Sequence, residues 1–149
     1  MISDSPRLTP RLVLDTNVVV AGLLWNGPPR QLLDLTIGGA VALYSTGFLL
    51  DELAHTLAYS KFAARIQNFG ATRDALVAEY TALITRVSPV TMPRISRDPD
   101  DDHVIACALA AHAEMVVSGD KDLRVLREYH GIRIVSAREA LNLIALRQS

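Results

Sequence analysis

The chain has 149 residues, half of them hydrophobic, with a single cysteine and a formal net charge of −1. A chain of this length without a linker or an internal repeat is typical of one domain that buries about 70% of its unfolded surface. The charge argues against a polybasic nucleic-acid binder. Cys107 alone forms neither an internal disulfide nor a multi-cysteine zinc site, so we predict that it packs in the core.

Hydropathy argues against a membrane protein. The longest apolar stretches, such as residues 18–25, fall far short of the roughly 18 residues that span a bilayer. Residues 1–10 mix Ser, Asp, Pro and Arg and lack the apolar centre of a secretory signal. We therefore predict a flexible N-terminal tail over residues 1–10, a cytoplasmic location and no membrane association.

Apolar runs of strand length alternate with segments of helical period, which is typical of a parallel α/β sheet. Five strands are predicted, at 11–15, 40–45, 87–91, 114–118 and 132–135. Helices are predicted from Pro28 to the stop at Gly38-Gly39 and then at 48–59, 61–68, 73–86, 100–113 and 122–129. A last helix follows Ser136, which forms a capping box with Glu139.

Two of the predicted strands lead into an aspartate, Asp15 after the first and Asp120 after the fourth. Residues just past the carboxyl ends of parallel strands meet in the crevice where ligands bind. Glu52 and Asp102 lie early in predicted helices between them. Two carboxylates about 4 Å apart repel by roughly 4 kcal/mol at an effective dielectric near 20, so such a cluster needs protons or cations. A hard divalent metal ion is the simplest neutralising group.

Ordinary structural roles compete with this interpretation. Asp15 and Asp120 could cap the turns after their strands, and Glu52 could be a solvated helix acid. In the functional interpretation, Thr16 and Asn17 orient Asp15 through hydrogen bonds. Ser118 would hold a carboxylate or bond a water molecule.

The acidic run at 98–102 precedes an apolar helix, whose dipole favours acids in its first turn. One or two acids would suffice for that purpose. Asp102 directly adjoins the apolar residues, so we expect it to point towards the core edge. Asp100 and Asp101 are expected to face solvent.

Other chemistries have weaker support. The sequence lacks the glycine-rich loops of nucleotide and dinucleotide enzymes and the nucleophile elbow of serine hydrolases. His103, His112 and His130 lack metal-ligand spacing, so structural or solvated roles are expected. Trp25 and the tyrosines are too scattered along the sequence to suggest a base-stacking platform.

From about residue 11 to residue 146, the chain resembles PIN-domain nucleases, in particular the VapC-related toxins of toxin-antitoxin pairs. Four strings occur in the family's order and spacing: LDTNV at 14–18, LLDEL at 49–53, RDPDDDHVIACA at 97–108 and VSGDKDL at 117–123. Ser118 stands where relatives often have threonine, and the hydroxyl is retained. Jointly these strings are specific, although none is specific alone.

The resemblance implies a doubly wound sheet in the order 3-2-1-4-5 and a single PIN-like nuclease domain over residues 11–149. It implies that four acids are catalytic and bind Mg²⁺ or Mn²⁺, namely Asp15, Glu52, Asp102 and Asp120, with Asp122 as an auxiliary metal ligand. Thr16, Asn17 and Ser118 would support these acids. Arg97 and Lys121 are predicted to contact substrate phosphates.

The implied activity is that of a divalent-metal-dependent endoribonuclease, in which a metal-activated water attacks an RNA phosphodiester in line. A toxin of this kind would have a cognate antitoxin protein and would form a homodimer or higher homo-oligomer. One alternative is a haloacid-dehalogenase-like phosphatase, but its general acid would fall at Asn17, which cannot donate a proton as a carboxylic acid does. The other is a degenerate PIN-like interaction module without activity.

Overall fold

The computed structural model describes residues 9–94 and 99–147, and within these ranges the side chains of residues 99 and 100 are not described. The predicted tail at 1–10 lies outside these ranges except for residues 9 and 10. The strands are β1 Arg11–Leu14, β2 Ala42–Ser45, β3 Ile84–Arg86, β4 Met115–Val117, β5 Glu128–Tyr129 and β6 Ile132–Val135. The helices are α1 Thr16–Leu24, α2 Pro28–Ile37, α3 Gly47–Leu57, α4 Ala63–Asn68, α5 Arg73–Leu83, α6 Pro99–Ala111, α7 Lys121–Arg124 and α8 Ala137–Arg147, and a short 3-10 helix, Ser60–Phe62, precedes α4.

The described strands form one sheet in the order β3-β2-β1-β4-β6-β5. All neighbouring strands pair in parallel except β5, which lies antiparallel to β6 at the edge. The predicted order 3-2-1-4-5 is confirmed, because β6 is the predicted fifth strand. The chain reverses its winding direction between β1 and β4, and such switch points form the ligand crevice of open α/β sheets.

Both faces of the sheet are buried, and alternate residues of each central strand serve opposite faces. Leu12 and Leu14 belong to one apolar cluster, which also contains residues of α1, α2, α3, α5 and α8. Val13 belongs to the other cluster, in which Val104 and Ile105 of α6 are buried. Cys107 is fully buried there, as predicted, and burial raises the pKa of its thiol to about 12. No described helix combines the length and apolarity needed to cross a membrane.

The structure differs from the predicted elements in several places. Residues 16–24, for which no helix is predicted, form α1. The third strand lies at Ile84–Arg86, where it pairs with β2, and not at 87–91. The predicted segment contains Pro89, which has no N–H to donate to a sheet.

The predicted helix at 122–129 is also much shorter than expected. α7 ends at Arg124, and β5 and β6 form a hairpin in which Glu128 pairs with Arg133 and Tyr129 with Ile132. The two loop residues, His130 and Gly131, have φ angles of 50° and 85°. Positive φ at both positions is the requirement of a type I′ hairpin turn.

The capping box of the last helix is confirmed. The Ser136 N–H donates to Glu139 Oε1 at 3.0 Å, and the Glu139 N–H donates to Ser136 Oγ at 3.1 Å. The pKa of the Glu139 carboxyl is lowered, first by the hydrogen bond from the Ser136 backbone N–H and second by a hydrogen bond with the Ser136 side chain. The helix therefore begins where the sequence predicted.

Gly22 allows α1 to lie close to α2. A Cβ at this position would lie 2.9 Å from Leu33 Cδ1 and 3.0 Å from the Pro29 carbonyl oxygen. Leu33 is itself buried in the core and has little room to move. A side chain at position 22 would therefore push the two helices apart.

We expect Gly22→Ala to lower the free energy of unfolding by about 1–3 kcal/mol, because overpacking outweighs the gain of about 1 kcal/mol in helix propensity. Urea unfolding followed by circular dichroism measures this change. Gly38→Ala is the matched control, because its Cβ would meet no atom closer than 3.6 Å and its φ of −79° suits alanine. Equal stability of the two variants would contradict the packing argument.

Candidate active site

The register of β1 and β4 places two polar residues side by side at the carboxyl edge of the sheet. Leu14 lies opposite Val117, so Asp15 and Ser118 leave their strands at the same level. The Asp15 N–H continues the sheet pairing by donating to the Val117 carbonyl at 2.9 Å. The expected meeting of the first and fourth strand ends is therefore present.

The Ser118 hydroxyl links the two aspartates that follow these strands. It donates to Asp15 Oδ2 at 2.8 Å and accepts the Asp120 N–H at 3.0 Å. Ser118 is fully buried. Its hydroxyl therefore fixes the position of Asp15 relative to the Asp120 backbone, which agrees with its expected role of holding a carboxylate.

Glu52 joins the same group through Thr16. The Thr16 hydroxyl donates to Glu52 Oε1 in a short hydrogen bond. Glu52 lies on α3, whose start is capped by the buried Thr46, with Oγ1 accepting the Leu49 N–H at 3.2 Å. Thr16 thus orients Glu52 with its hydroxyl and Asp15 with its backbone, whereas only the second of these contacts was expected.

The capping alternative for the two aspartates is confirmed, and both caps belong to the hydrogen-bonded group of Asp15, Glu52 and Asp120. Asp15 Oδ1 accepts the Thr16 N–H, and Asp120 Oδ1 accepts the Asp122 N–H, both at 2.8 Å. These bonds hold each carboxylate at the start of its helix. A capping role and a place in the site are therefore compatible for both aspartates.

The first turn of α6 differs from the prediction. Asp101, expected to face solvent, is only 4% exposed, whereas Asp102 is half-buried. Asp101 precedes Val104, Ile105 and Ala108 by three, four and seven residues, so it lies on the buried stripe of the helix. A position next to the apolar residues in the sequence does not predict which acid is buried, because successive residues of a helix point in different directions.

The remaining predicted residues lie around this group. Asn17 is exposed on the first turn of α1, and Lys121 and Asp122 are exposed on α7. Arg97 and the side chain of Asp100 lie outside the described residues. Asp15, Glu52 and Asp120 are therefore joined through hydrogen bonds, and Asp102 lies at the start of α6.

Three arginines that sequence reasoning did not single out as a group lie close together near the end of β6. Arg124, Arg127 and Arg133 line a cavity of about 300 Å³ together with Val135 and Glu139. Val135, one of the lining residues, accepts the Ser118 N–H through its carbonyl, so this cavity and Ser118 share one sheet contact. The Arg124 Nε is buried without a hydrogen-bond partner. The arginines come from a helix, a loop and a strand, so no sequence spacing marks them.

The donor set fits a hard divalent cation, because carboxylate and hydroxyl oxygens are the ligands that such ions prefer. Among the described side chains of residues 9–94 and 101–147, however, no three Asp, Glu, His or Cys side chains are positioned to hold one metal ion. Binding would therefore have to draw the carboxylates closer together. The ligand atoms of the site are of the kind that a divalent metal ion prefers, but their present arrangement does not form a complete metal site.

We expect Ser118→Ala to lower the free energy of unfolding by about 1–3 kcal/mol, because it removes the acceptor of the Asp120 N–H in a buried position. Urea unfolding provides the measurement. Ser88→Ala is the control, since Ser88 is exposed. If both variants unfold at the same urea concentration, Ser118 does not organise this edge of the sheet.

Comparison with known proteins agrees with this architecture. The family model described as "PIN domain" matches residues 11–122, well over half of the chain. The solved structure of PAE2754 from Pyrobaculum aerophilum is similar in fold, with a TM-score of 0.57, 10% sequence identity, and coverage of 93% of this chain and 91% of that one. No curated protein matches the chain. The chain belongs to the PIN domain family, whose members are generally metal-dependent nucleases.

Proposed function

We propose that the protein is a divalent-metal-dependent endoribonuclease that cleaves RNA phosphodiesters. The observation that carries the proposal is the link between Asp15 and Asp120 through the Ser118 hydroxyl at the switch point of the sheet. Glu52 is tied to the same link through Thr16. This arrangement concentrates negative charge in the crevice and supplies only oxygen ligands.

In this proposal Asp15, Glu52, Asp102 and Asp120 hold Mg²⁺ or Mn²⁺, with Asp122 in an auxiliary position. The bound ion would supply positive charge to activate water and to stabilise the charge that develops on the phosphate. Ser118 and Thr16 keep the carboxylates oriented before substrate arrives, so less reorganisation is needed during the reaction. No side chain needs to act as a nucleophile.

Cationic side chains next to the acids support a phosphodiester substrate. Lys121 directly follows Asp120, and Arg124, Arg127 and Arg133 line a cavity together with Val135, whose carbonyl accepts the Ser118 N–H. Arginine pairs bidentately with phosphate oxygens, whereas lysine acts as a point charge. We infer that these residues contact the RNA backbone, and that unpaired bases determine which RNA is cut.

The alternatives have less support. A haloacid-dehalogenase-like phosphatase would need a general acid at Asn17, and the chain belongs to a different family. An inactive interaction module would not need two carboxylates, Asp15 and Glu52, held by the hydroxyls of a buried serine and a threonine. The endoribonuclease proposal accounts for both the acids and the hydroxyls that hold them.

We expect Asp15→Asn to remain folded and to lose RNA cleavage, because the amide keeps the shape of the side chain but loses the charge that attracts the metal. The assay incubates purified protein with structured and unstructured RNAs, with and without Mn²⁺, and follows cleavage on gels. Asp51→Asn is the control, since Asp51 is an exposed acid beside Glu52 on α3. Full cleavage by a clean Asp15→Asn preparation would refute the proposal.

Melting temperatures of further variants distinguish the two neighbouring acids of α6. Mn²⁺ should raise the melting temperature of the wild-type protein, because a ligand that binds only the folded state stabilises it. If Asp102 is a ligand, Asp102→Asn should reduce this shift more than Asp101→Asn. The opposite result would assign the ligand role to Asp101.

We further propose that the protein is a cytoplasmic toxin of a toxin-antitoxin pair that works as a homodimer or higher oligomer. The toxin role rests on the VapC-like sequence strings and on one electrostatic argument. An acidic crevice is readily blocked by an arginine or lysine from another protein, and arginine pairs bidentately with carboxylates.

We therefore expect a neighbouring gene product to copurify with this protein through a basic side chain inserted towards Asp15, Glu52, Asp102 and Asp120. Co-expression followed by affinity purification tests this expectation. If no neighbour binds, and the free protein is harmless when induced in its host, the toxin role fails while the nuclease activity stands.

A further inference from the structure

Two aromatic rings from distant parts of the chain stack near the acidic cluster. The Phe48 and His103 ring centroids lie 3.6 Å apart, with an interplanar angle of 18°. Phe48 nevertheless stays 43% exposed, and His103 is half-buried. The pair therefore presents aromatic surface to solvent and does not bury it in either core cluster.

The position of the pair relates it to the proposed catalytic acids. Phe48 lies on the first turn of α3, four residues before Glu52, and residues four apart share one face of a helix. His103 directly follows Asp102 on α6. The stack therefore joins the starts of the two helices that carry Glu52 and Asp102.

A second aromatic group lies elsewhere on the molecule. Trp25 packs edge-on against Phe62, and the Arg65 guanidinium lies over the rings of Trp25 and Phe69. Trp25 follows the last residue of the nine-residue helix α1, about 14 Å from the acidic end of that helix. A nucleotide bound at the acids would reach the Phe48–His103 pair before it reached this second group.

We propose that Phe48 and His103 form a stacking platform for a nucleobase of single-stranded RNA next to the scissile phosphate. The proposal rests on the proposed endoribonuclease function and names how that site holds its substrate. Unpaired bases stack on aromatic side chains in single-strand recognition, and stacking tolerates any base because each has a π face. Purines offer the larger face, so adenine is favoured over uracil.

Binding to the full-length Asp15→Asn protein in Mg²⁺ tests the platform without cleavage. The probes are labelled oligoadenylate, oligouridylate and an abasic ribose-phosphate oligomer of the same length, measured by fluorescence anisotropy. Oligoadenylate should bind about tenfold more tightly than the abasic oligomer. Adding Phe48→Ala or His103→Ala should bring this ratio close to one, whereas Phe48→Trp should preserve it.

Tyr59→Ala is the matched control, because Tyr59 is a 54% exposed aromatic residue just beyond the far end of α3. It should leave the ratio unchanged. If Phe48→Ala weakens base-bearing and abasic oligomers equally, the stack only holds α3 against α6, and the inference is overturned. An unchanged ratio in Phe48→Ala, a parent ratio near one, or no measurable binding of oligoadenylate would overturn it as well.

This measurement separates the inference from the proposed function. If the wild-type protein cleaves RNA but binding does not discriminate between base-bearing and abasic oligomers, the platform is refuted and the nuclease activity stands. If binding discriminates between these oligomers through Phe48 but the protein does not cleave RNA, the nuclease activity is refuted and the platform stands.

Discussion

The pairing of β1 with β4 is the contact on which the rest of the site depends. It brings Asp15 to Ser118 across 103 positions of sequence, and its register decides which residues leave the sheet together. A slip of one residue would turn every buried side chain of the strand to the opposite face. Both faces of β1 are buried, so the apolar pattern that forms the core also holds the Ser118 hydroxyl against the Asp15 carboxylate.

The acids at this edge are stabilised by neutral donors. Asp15 accepts the Thr16 N–H and the Ser118 hydroxyl, and Glu52 accepts the Thr16 hydroxyl. Helices α1, α3 and α6 all begin at this edge, and the positive end of a helix dipole favours negative charge. Hydrogen bonds and helix dipoles therefore reduce the cost of gathering carboxylates at this edge of the sheet.

Local signals in the sequence predicted the parallel sheet and the capped start of α8, because each depends on nearby residues or on the hydrophobic pattern. The strand order was implied by the family resemblance and not by these signals. They failed where tertiary contacts decide. Residues 18–20 are consecutive valines, which favour strands, yet they form part of α1. The burial of Asp101 follows from its helical spacing to Val104, Ile105 and Ala108, which adjacency in the sequence does not show. The Phe48–His103 stack depends on how two helices meet, and no spacing rule along a single segment contains that information.

For the proposed endoribonuclease, the topology also orders the groups around the acids along the sheet. Phe48 follows β2 on one side of the switch point, and Arg133 lies on β6 on the other, with β1 and β4 between them. Three strand spacings amount to about 14 Å, a distance that a short single strand covers. A substrate lying along this edge would meet an aromatic surface and then the acids, with the cavity lined by Arg124, Arg127 and Arg133 on the β6 side. Stacking and phosphate pairing on the two sides would then hold the backbone between them over Asp15 and Asp120.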